Sequence, residues 1–356
     1  MKRTLDAVER GWVPDVAVRA GIRELVRRRR RSLPAGSHEA TNVAFAERLR
    51  ASPIAIATTE ANQQHYEVPA GFFELVLGSH LKYSCCYYPK GDESLAQAEA
   101  AMLELTCQRA DLIDGQDILE LGCGWGSLTL WMATHYPKSR IIAVSNSHSQ
   151  RHHIEHRCQT RGLTNVRVLT ADANDLAAQS HEQIVEGAFD RVVSVEMFEH
   201  MRNWPALLAR IAEWLTPEGR LFLHVFCHRE SPYLYEDRGP SDWMARHFFT
   251  GGIMPSADLL LQFQDHMQLE QRWSVDGDHY ERTANQWLEN LDQQRADVLP
   301  ILAATYGQKE ARRWLQRWRL FFMSCAGTFG HRKGQEWRVA HYLMKPAAAS
   351  DVSLPE

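Results

Sequence analysis

The chain has 356 residues, 44% of them hydrophobic and 24% charged, with a formal net charge of −4. That size allows one large globular domain with a lid, or two modest ones, and the near-balanced charge offers a nucleic acid nothing to bind. Seven scattered cysteines, none in a Cys-x-x-Cys pair, argue against a disulfide framework or a metal site and fit a reducing, cytoplasmic compartment.

The first residues, MKRTLDAVERGWV, lack the apolar core of a signal peptide, and no apolar run reaches the length of a membrane span. Residues 1–65 read as a helical, polar N-terminal segment. Arg19, Arg23 and the arginine run at 27–31 make it basic, which suits a solvated helix face and also contact with an anionic membrane surface. Pro34-Ala35-Gly36-Ser37 breaks it.

The main domain is expected over 66–346. YEVPAGFFELVLG predicts a short helix entered through Pro69, and the apolar spacing of Leu95, Met102, Leu103 and Leu112 predicts a longer one. Strand and helix then alternate through 111–230. The strands are DILELGCG, RIIAVSN, VRVLTAD, FDRVVSVEM and GRLFLHVFCH; SLTLWMATHY, QRHHIEHRCQTRG (ended by Gly162) and PALLARIAEWL (opened by Pro205) are the helices. This order predicts a parallel sheet with helices on both faces, binding its ligand beyond the strands' carboxyl ends where strand order reverses.

A helical cap is expected over about 231–330, with SADLLLQFQDHM as a helix and long helices near 283–299 and 308–329. LEQRWSV and EWRVAHYLMKP read as a sixth and a seventh strand, and 347–356 as a disordered tail. The aromatic C-terminal helices look exposed and would support a homodimer.

The first strand runs into Glu120-Leu121-Gly122-Cys123-Gly124-Trp125-Gly126. Glycines there permit a sharp turn and close ligand approach. The loop has no Arg or Lys for a pyrophosphate, and Glu120 suits a cationic cofactor such as S-adenosylmethionine (SAM). Strand two ends without the usual acid, so Asn146 and Gln150 are left to bond the ribose. Asp172, after strand three, suits the adenine amino group or a helix N-cap.

After strand four come Glu196, Glu199 and His200, which at helical spacing would face one way. Two carboxylates bind a cationic amine, and a base can free its lone pair for attack on a methyl group. His224 lies in an apolar strand, with His228 just beyond; the aromatic run Tyr83-Ser84-Cys85-Cys86-Tyr87-Tyr88 suits a sulfonium or simple packing. Trp243, Phe248, Phe249, Phe321 and Phe322 suggest an aromatic-lined substrate pocket closed by the cap.

The set YSCCYY, LELGCGWGSLTLW, SNSHSQ, SVEMFEHM, HFFTGGIMPSADLLLQF and QEWRVAH resembles the coclaurine N-methyltransferases of the cyclopropane-fatty-acid synthase superfamily. The resemblance implies an α/β class I SAM-methyltransferase (Rossmann-like) fold: a seven-stranded sheet, a helical N-terminal segment and a helical cap. It implies SAM contacts at Tyr83, Ser84, Gly122, Asn146, Gln150 and Asp172, and an amine site lined by Glu196, Glu199 and His200. Lipid cyclopropane synthases of the superfamily hold bicarbonate near the positions of Cys85, Glu199 and His224, with a small residue where this chain has Glu196. The expected activity is therefore N-methylation of a small, cyclic or aromatic amine. A lipid-modifying enzyme and a non-catalytic SAM-binding protein are the rival readings.

Overall fold

A computed structural model describes residues 2–34, 38–56, 68–176, 184–237, 239 and 242–347. Residues 35–37 of the expected break at Pro34–Ser37 and 348–356 of the expected tail lie outside the described residues, as does Tyr66, where the main domain is expected to begin.

The N-terminal segment forms helices α1 (Lys2–Glu9), α2 (Asp15–Ser32) and α3 (His38–Arg50). Helices α4 (Ala70–Val76) and α5 (Leu95–Arg109) lead to the sheet; Pro69 opens α4, and Ser94 and Gln97 close a reciprocal capping box on α5. Next come β1 (Asp117–Leu121), α6 (Ser127–His135), β2 (Arg140–Ser145), α7 (His148–Arg161) and β3 (Val166–Thr170). They are followed by β4 (Phe189–Val195), α8 (Trp204–Trp214) and β5 (Leu215–His228). Gly162, left-handed at φ +68°, ends α7, and the Asn203 side chain caps α8 ahead of Pro205.

Beyond β5 lie the small strands β6 (Tyr233–Leu234) and β7 (Ile253–Met254) around helix α9 (Trp243–His247). Strand β8 (Met267–Val275) precedes helices α10 (Gly277–Gln293), α11 (Arg295–Tyr306) and α12 (Ala311–Phe329), and β9 (Trp337–Pro346) ends the sheet. The strand order is β3-β2-β1-β4-β5-β9-β8, with β1 to β5 parallel and β9 antiparallel to both neighbours. Strand order reverses between β1 and β4, so the loops after these two strands flank the crevice where such sheets bind ligands.

Three details depart from the sequence expectations. SADLLLQFQDHM makes only a 3₁₀ turn at Leu259–Gln262. Its start is fastened to the sheet: Ala257 N donates to His228 O at 2.9 Å and Tyr342 Oη donates to Ala257 O at 2.7 Å, leaving those groups unavailable to a helix. The expected helix at 283–299 starts earlier and divides at Gln294, so three helices, not two, separate β8 from β9. The cap is not continuous over 231–330, because β8 belongs to the central sheet; the cap enters on either side of it.

The aromatic residues of α12 are not exposed. Leu315, Trp318, Phe322 and Ala326 are buried against α4, α10 and α11, while Val18, Ile22 and Val26 of α2 cover the outside. The Arg319 guanidinium ties this layer together, reaching Asp15 of α2 and Asp292 of α10 at 2.6 Å each. The expected aromatic dimer face is therefore the cap's own core. Gly277 joins cap to sheet: a Cβ there would sit 2.0 Å from Trp337 O and 2.4 Å from Phe329 O. No helix among the described residues is long and apolar enough to cross a membrane.

Candidate active site

Two chambers open at the switch point. The larger encloses about 1290 Å³ of non-atom space, its mouth included, and the smaller about 800 Å³. Gly122, Gly124, Gln150, Glu196 and His200 line both and form the junction.

The smaller chamber is built by the loops after β1, β2 and β3. Gly122 and Gly124 hold positive φ of +79° and +53°. A Cβ on Gly122 would stand 2.7 Å from the Met197 side chain, so glycine keeps this wall open. Gly126 does a different job: its missing Cβ lets Ile154 approach, and it packs helices rather than lining the space. Asn146 and Gln150 both line the chamber, and Ser145 Oγ donates to Gln150 Oε1 at 2.6 Å, orienting that amide. Ala171 and Ala173 line it, whereas Asp172 between them accepts from Asn174 N at 2.8 Å and serves a turn.

Glu120 lies 3% exposed on the wall of the larger chamber and accepts from Thr129 Oγ1 at 2.5 Å. Burial pushes its carboxyl up to about 7. A buried acid beside a glycine loop that has no Arg or Lys, with amides just beyond β2, is a donor and acceptor set that fits SAM.

The larger chamber is aromatic. Tyr83, Ser84, Trp125, Phe249, Tyr280 and Phe321 are on its walls. Of the five expected substrate residues, only Phe249 and Phe321 face it. Trp243 turns away, donating Nε1–H to Glu9 Oε1 at 2.8 Å. Phe248 is fully buried, stacked on Phe321 with centroids 4.4 Å apart, and Phe322 packs against Trp318 and Trp287. In α12 neighbouring positions point about 100° apart, so Phe321 meets the chamber while Phe322 packs into the core, which a run of rings in sequence does not reveal.

The acid–histidine cluster is not helical at its start. Glu196 takes a left-handed φ of +49°, and its N–H donates to His224 O at 2.8 Å. Only Phe198–His200 then makes a single 3₁₀ turn. The three side chains consequently diverge. His200 lines both chambers, 4.5 Å from the Phe249 ring centroid. Glu199 is fully buried behind the wall, where Oε1 accepts from Phe226 N at 2.5 Å and Oε2 has no hydrogen-bond partner among the described residues.

Glu196 stands at the junction. Oε1 accepts from Cys85 N at 2.9 Å and lies 3.2 Å from His224 Nε2; Oε2 accepts from Tyr280 Oη at 2.7 Å. Burial raises its carboxyl, opposed by the Lys82 charge and by the Cys85 and Tyr280 donors. Burial, and then the charge on Glu196, raise Glu199 well above the usual range. Both carboxyls are thus raised, Glu199 the further of the two, so Glu196 gives up its proton more readily than its neighbour.

Tyr280, Lys82 and the Cys85 amide are parts of the site that the sequence left unassigned. Lys82 is buried, and its Nζ donates to Ser84 Oγ. Glu99 orders this loop by accepting N–H bonds from Gly78, His80 and Lys82 at 2.8–3.1 Å. His224 is both a core histidine and a Glu196 partner, while Nδ1 of His228 accepts from Glu230 N and Ser231 N and shapes a turn.

Comparison with known proteins agrees with this geometry. The family model for mycolic acid cyclopropane synthetase matches residues 55–339. The (S)-coclaurine N-methyltransferase of Thalictrum flavum subsp. glaucum is 38% identical over 348 residues, 96% of this chain and 94% of the relative. The pavine N-methyltransferase of the same plant is 31% identical over 95% of both chains. A crystal structure of coclaurine N-methyltransferase bound to N-methylheliamine and SAH superposes with a TM-score of 0.91 and 36% identity, covering 96% of this chain and 99% of the other. The chain belongs to the mycolic acid cyclopropane synthetase family and is a coclaurine N-methyltransferase-like, SAM-dependent methyltransferase.

Proposed function

We propose that the enzyme methylates the nitrogen of a small secondary or tertiary amine of cyclic or aromatic character, such as a tetrahydroisoquinoline. The observation that carries this reading is Glu196, a carboxyl group held by the Cys85 N–H and the Tyr280 hydroxyl, with His224 Nε2 3.2 Å away, where the glycine-loop chamber meets an aromatic one. The names of the relatives, and the N-methylheliamine held by the solved one, support an alkaloid-type amine.

The sulfonium of SAM supplies an electrophilic methyl group. The residues of the chain do the rest. Glu196 attracts the substrate as its ammonium; these three contacts leave one acceptor position free on the carboxylate. An ammonium nitrogen has no lone pair, so one proton must leave first. His200, at the junction of both chambers, takes it. Attack then returns positive charge to the nitrogen as the new C–N bond forms, and Glu196 faces that charge. Holding the amine at the junction supplies proximity, the largest part of the acceleration. Glu199 acts from behind, as a neutral acid that keeps a second charge away from Glu196.

The rival lipid reading needs space for bicarbonate beside Cys85 and His224. The Glu196 carboxyl already occupies that place, accepting from Cys85 N at 2.9 Å and lying 3.2 Å from His224 Nε2. The deciding experiment incubates the protein with SAM and a panel of cyclic and acyclic amines, with unsaturated phospholipid vesicles in parallel. SAH release is followed and products are weighed. A one-methyl gain on an amine supports the proposal; a one-carbon gain on lipid alone overturns it.

A further inference from the structure

Behind Glu196 runs a chain of three side chains from three elements, its two histidines buried and its arginine half-buried. His224 on β5 and His341 on β9 are paired across the antiparallel ladder, and neither is exposed. His341 Nε2 lies 3.0 Å from His224 Nδ1, and His341 Nδ1 lies 2.8 Å from Arg109 Nη1 at the end of α5. The Arg109 guanidinium sits over the Trp273 ring, 5.1 Å from its centroid, and does not line either chamber.

We propose that Arg109 and His341 are positioning residues: acting through His224, they fix the direction of a hydrogen-bond chain whose last N–H is delivered to Glu196. The proposal rests on the reading of Glu196 as the ammonium-binding carboxylate. The direction follows from donor chemistry. An arginine has donors only and keeps its charge. His341 Nδ1 must therefore be the bare, accepting nitrogen, which puts that ring's proton on Nε2. That N–H donates to His224 Nδ1, so the His224 proton lies on Nε2 and points at Glu196 Oε1. Each ring must be neutral for this to hold. Burial first, then neighbouring positive charge from Lys82 and Arg109, pushes both well below the usual histidine range.

Without Arg109 the chain can reverse. His341 would then carry its proton on Nδ1, and His224 would present a bare Nε2 to Glu196. Two facing acceptors invite Glu196 to take up a proton and become the donor, which removes the charge that binds the ammonium. Arg109 thus acts on the amine site from outside it. The groups facing Glu196 are Lys82 and Cys85 from the loop before α5, Glu199 and His200 from the 3₁₀ turn, His224 from β5, Tyr280 from α10 and Cys325 from α12.

The test compares R109Q and R109K, and H341F and H341Q, with the wild-type enzyme. Lysine keeps a charged donor at 109, and glutamine at 341 keeps one acceptor and one donor, so R109K and H341Q are expected to behave like wild type. R109Q and H341F are expected to move the acid limb of kcat/KM for the amine upward by roughly one pH unit, about tenfold on its acidic side, with SAM affinity unchanged. Histidine ¹⁵N spectra, assigned with the His341 variants, read the tautomers directly: Nε2–H on both rings in the wild type, and Nδ1–H gaining population at His341 in R109Q. Wild-type rings protonated on Nδ1, or an R109Q pH profile that superimposes on the wild type, would overturn the relay. Correct tautomers with no amine methylated would overturn the substrate reading alone.

Discussion

Replacing Glu196 with glutamine tests the proposed site with little change of shape. The amide oxygen can still accept from Cys85 N and from His224, and the amide nitrogen can donate to Tyr280 Oη, so the wall should keep its form. What is lost is a unit charge beside the ammonium. Two unit charges 4 Å apart attract by about 4 kcal/mol at an effective dielectric constant of 20. A charge-assisted hydrogen bond sets the lower bound at about 1.5 kcal/mol. At 1.36 kcal/mol per factor of ten, kcat/KM should fall roughly 10- to 1000-fold. The loss should appear in kcat as well as in KM, because nitrogen becomes cationic again as the C–N bond forms. Thermal stability should hold or rise, since a buried charge next to Glu199 is gone. The assay is initial-rate SAH release at saturating SAM across amine concentrations, with SAM affinity measured by calorimetry. A loss under about threefold, or an equal loss of SAM binding, refutes the assignment.

Glu120, raised to about 7, should give up its proton when a cationic cofactor binds, so SAM affinity is expected to strengthen as pH rises from 6 to 8. Calorimetry in buffers of different ionisation enthalpy should show proton release, and E120Q should abolish it. In the free protein the same raised value stabilises the fold below about 4.5 and is lost as pH climbs through about 7; E120Q should flatten that part of the melting-temperature profile. Phe249→Ala should raise KM for the amine with little effect on melting, whereas Phe248→Ala should cost about 3–5 kcal/mol of stability, read by denaturant unfolding. Gly277→Ala forces a methyl group onto two backbone carbonyls and should destabilise by about 1–3 kcal/mol or more, read the same way.

The parts of the fold legible in sequence are those where local rules suffice. Short clusters of branched apolar residues set β1, β2 and β4, and Gly162, Pro205 and Pro69 punctuated the helices as expected. The glycine loop and the amides after β2 are also local, because the switch point puts them together in any sheet of this order. What was hidden depends on distance in the chain. His341 and Arg109 become neighbours only once β9 pairs with β5 across 117 residues. Tyr280 reaches Glu196 across 84 residues. Glu199 was misjudged for a different reason: the helical spacing assumed after β4 fails at the left-handed Glu196, and that single backbone angle sends neighbouring acids to opposite sides of the wall.

That same backbone angle makes the chemistry at the junction easy to exchange. A left-handed conformation is one that glycine adopts freely and glutamate resists. Glutamate and glycine codons differ by a single nucleotide. Glu196→Gly would therefore relax the backbone while leaving the Cys85 amide, the His224 ring and the Tyr280 hydroxyl converging on an empty space of carboxylate size. Two donors and an imidazole edge converging on such a space form a receptor for a small free oxyanion. In this chain that anion is tethered covalently to the polypeptide, always present and needing no supply from solution.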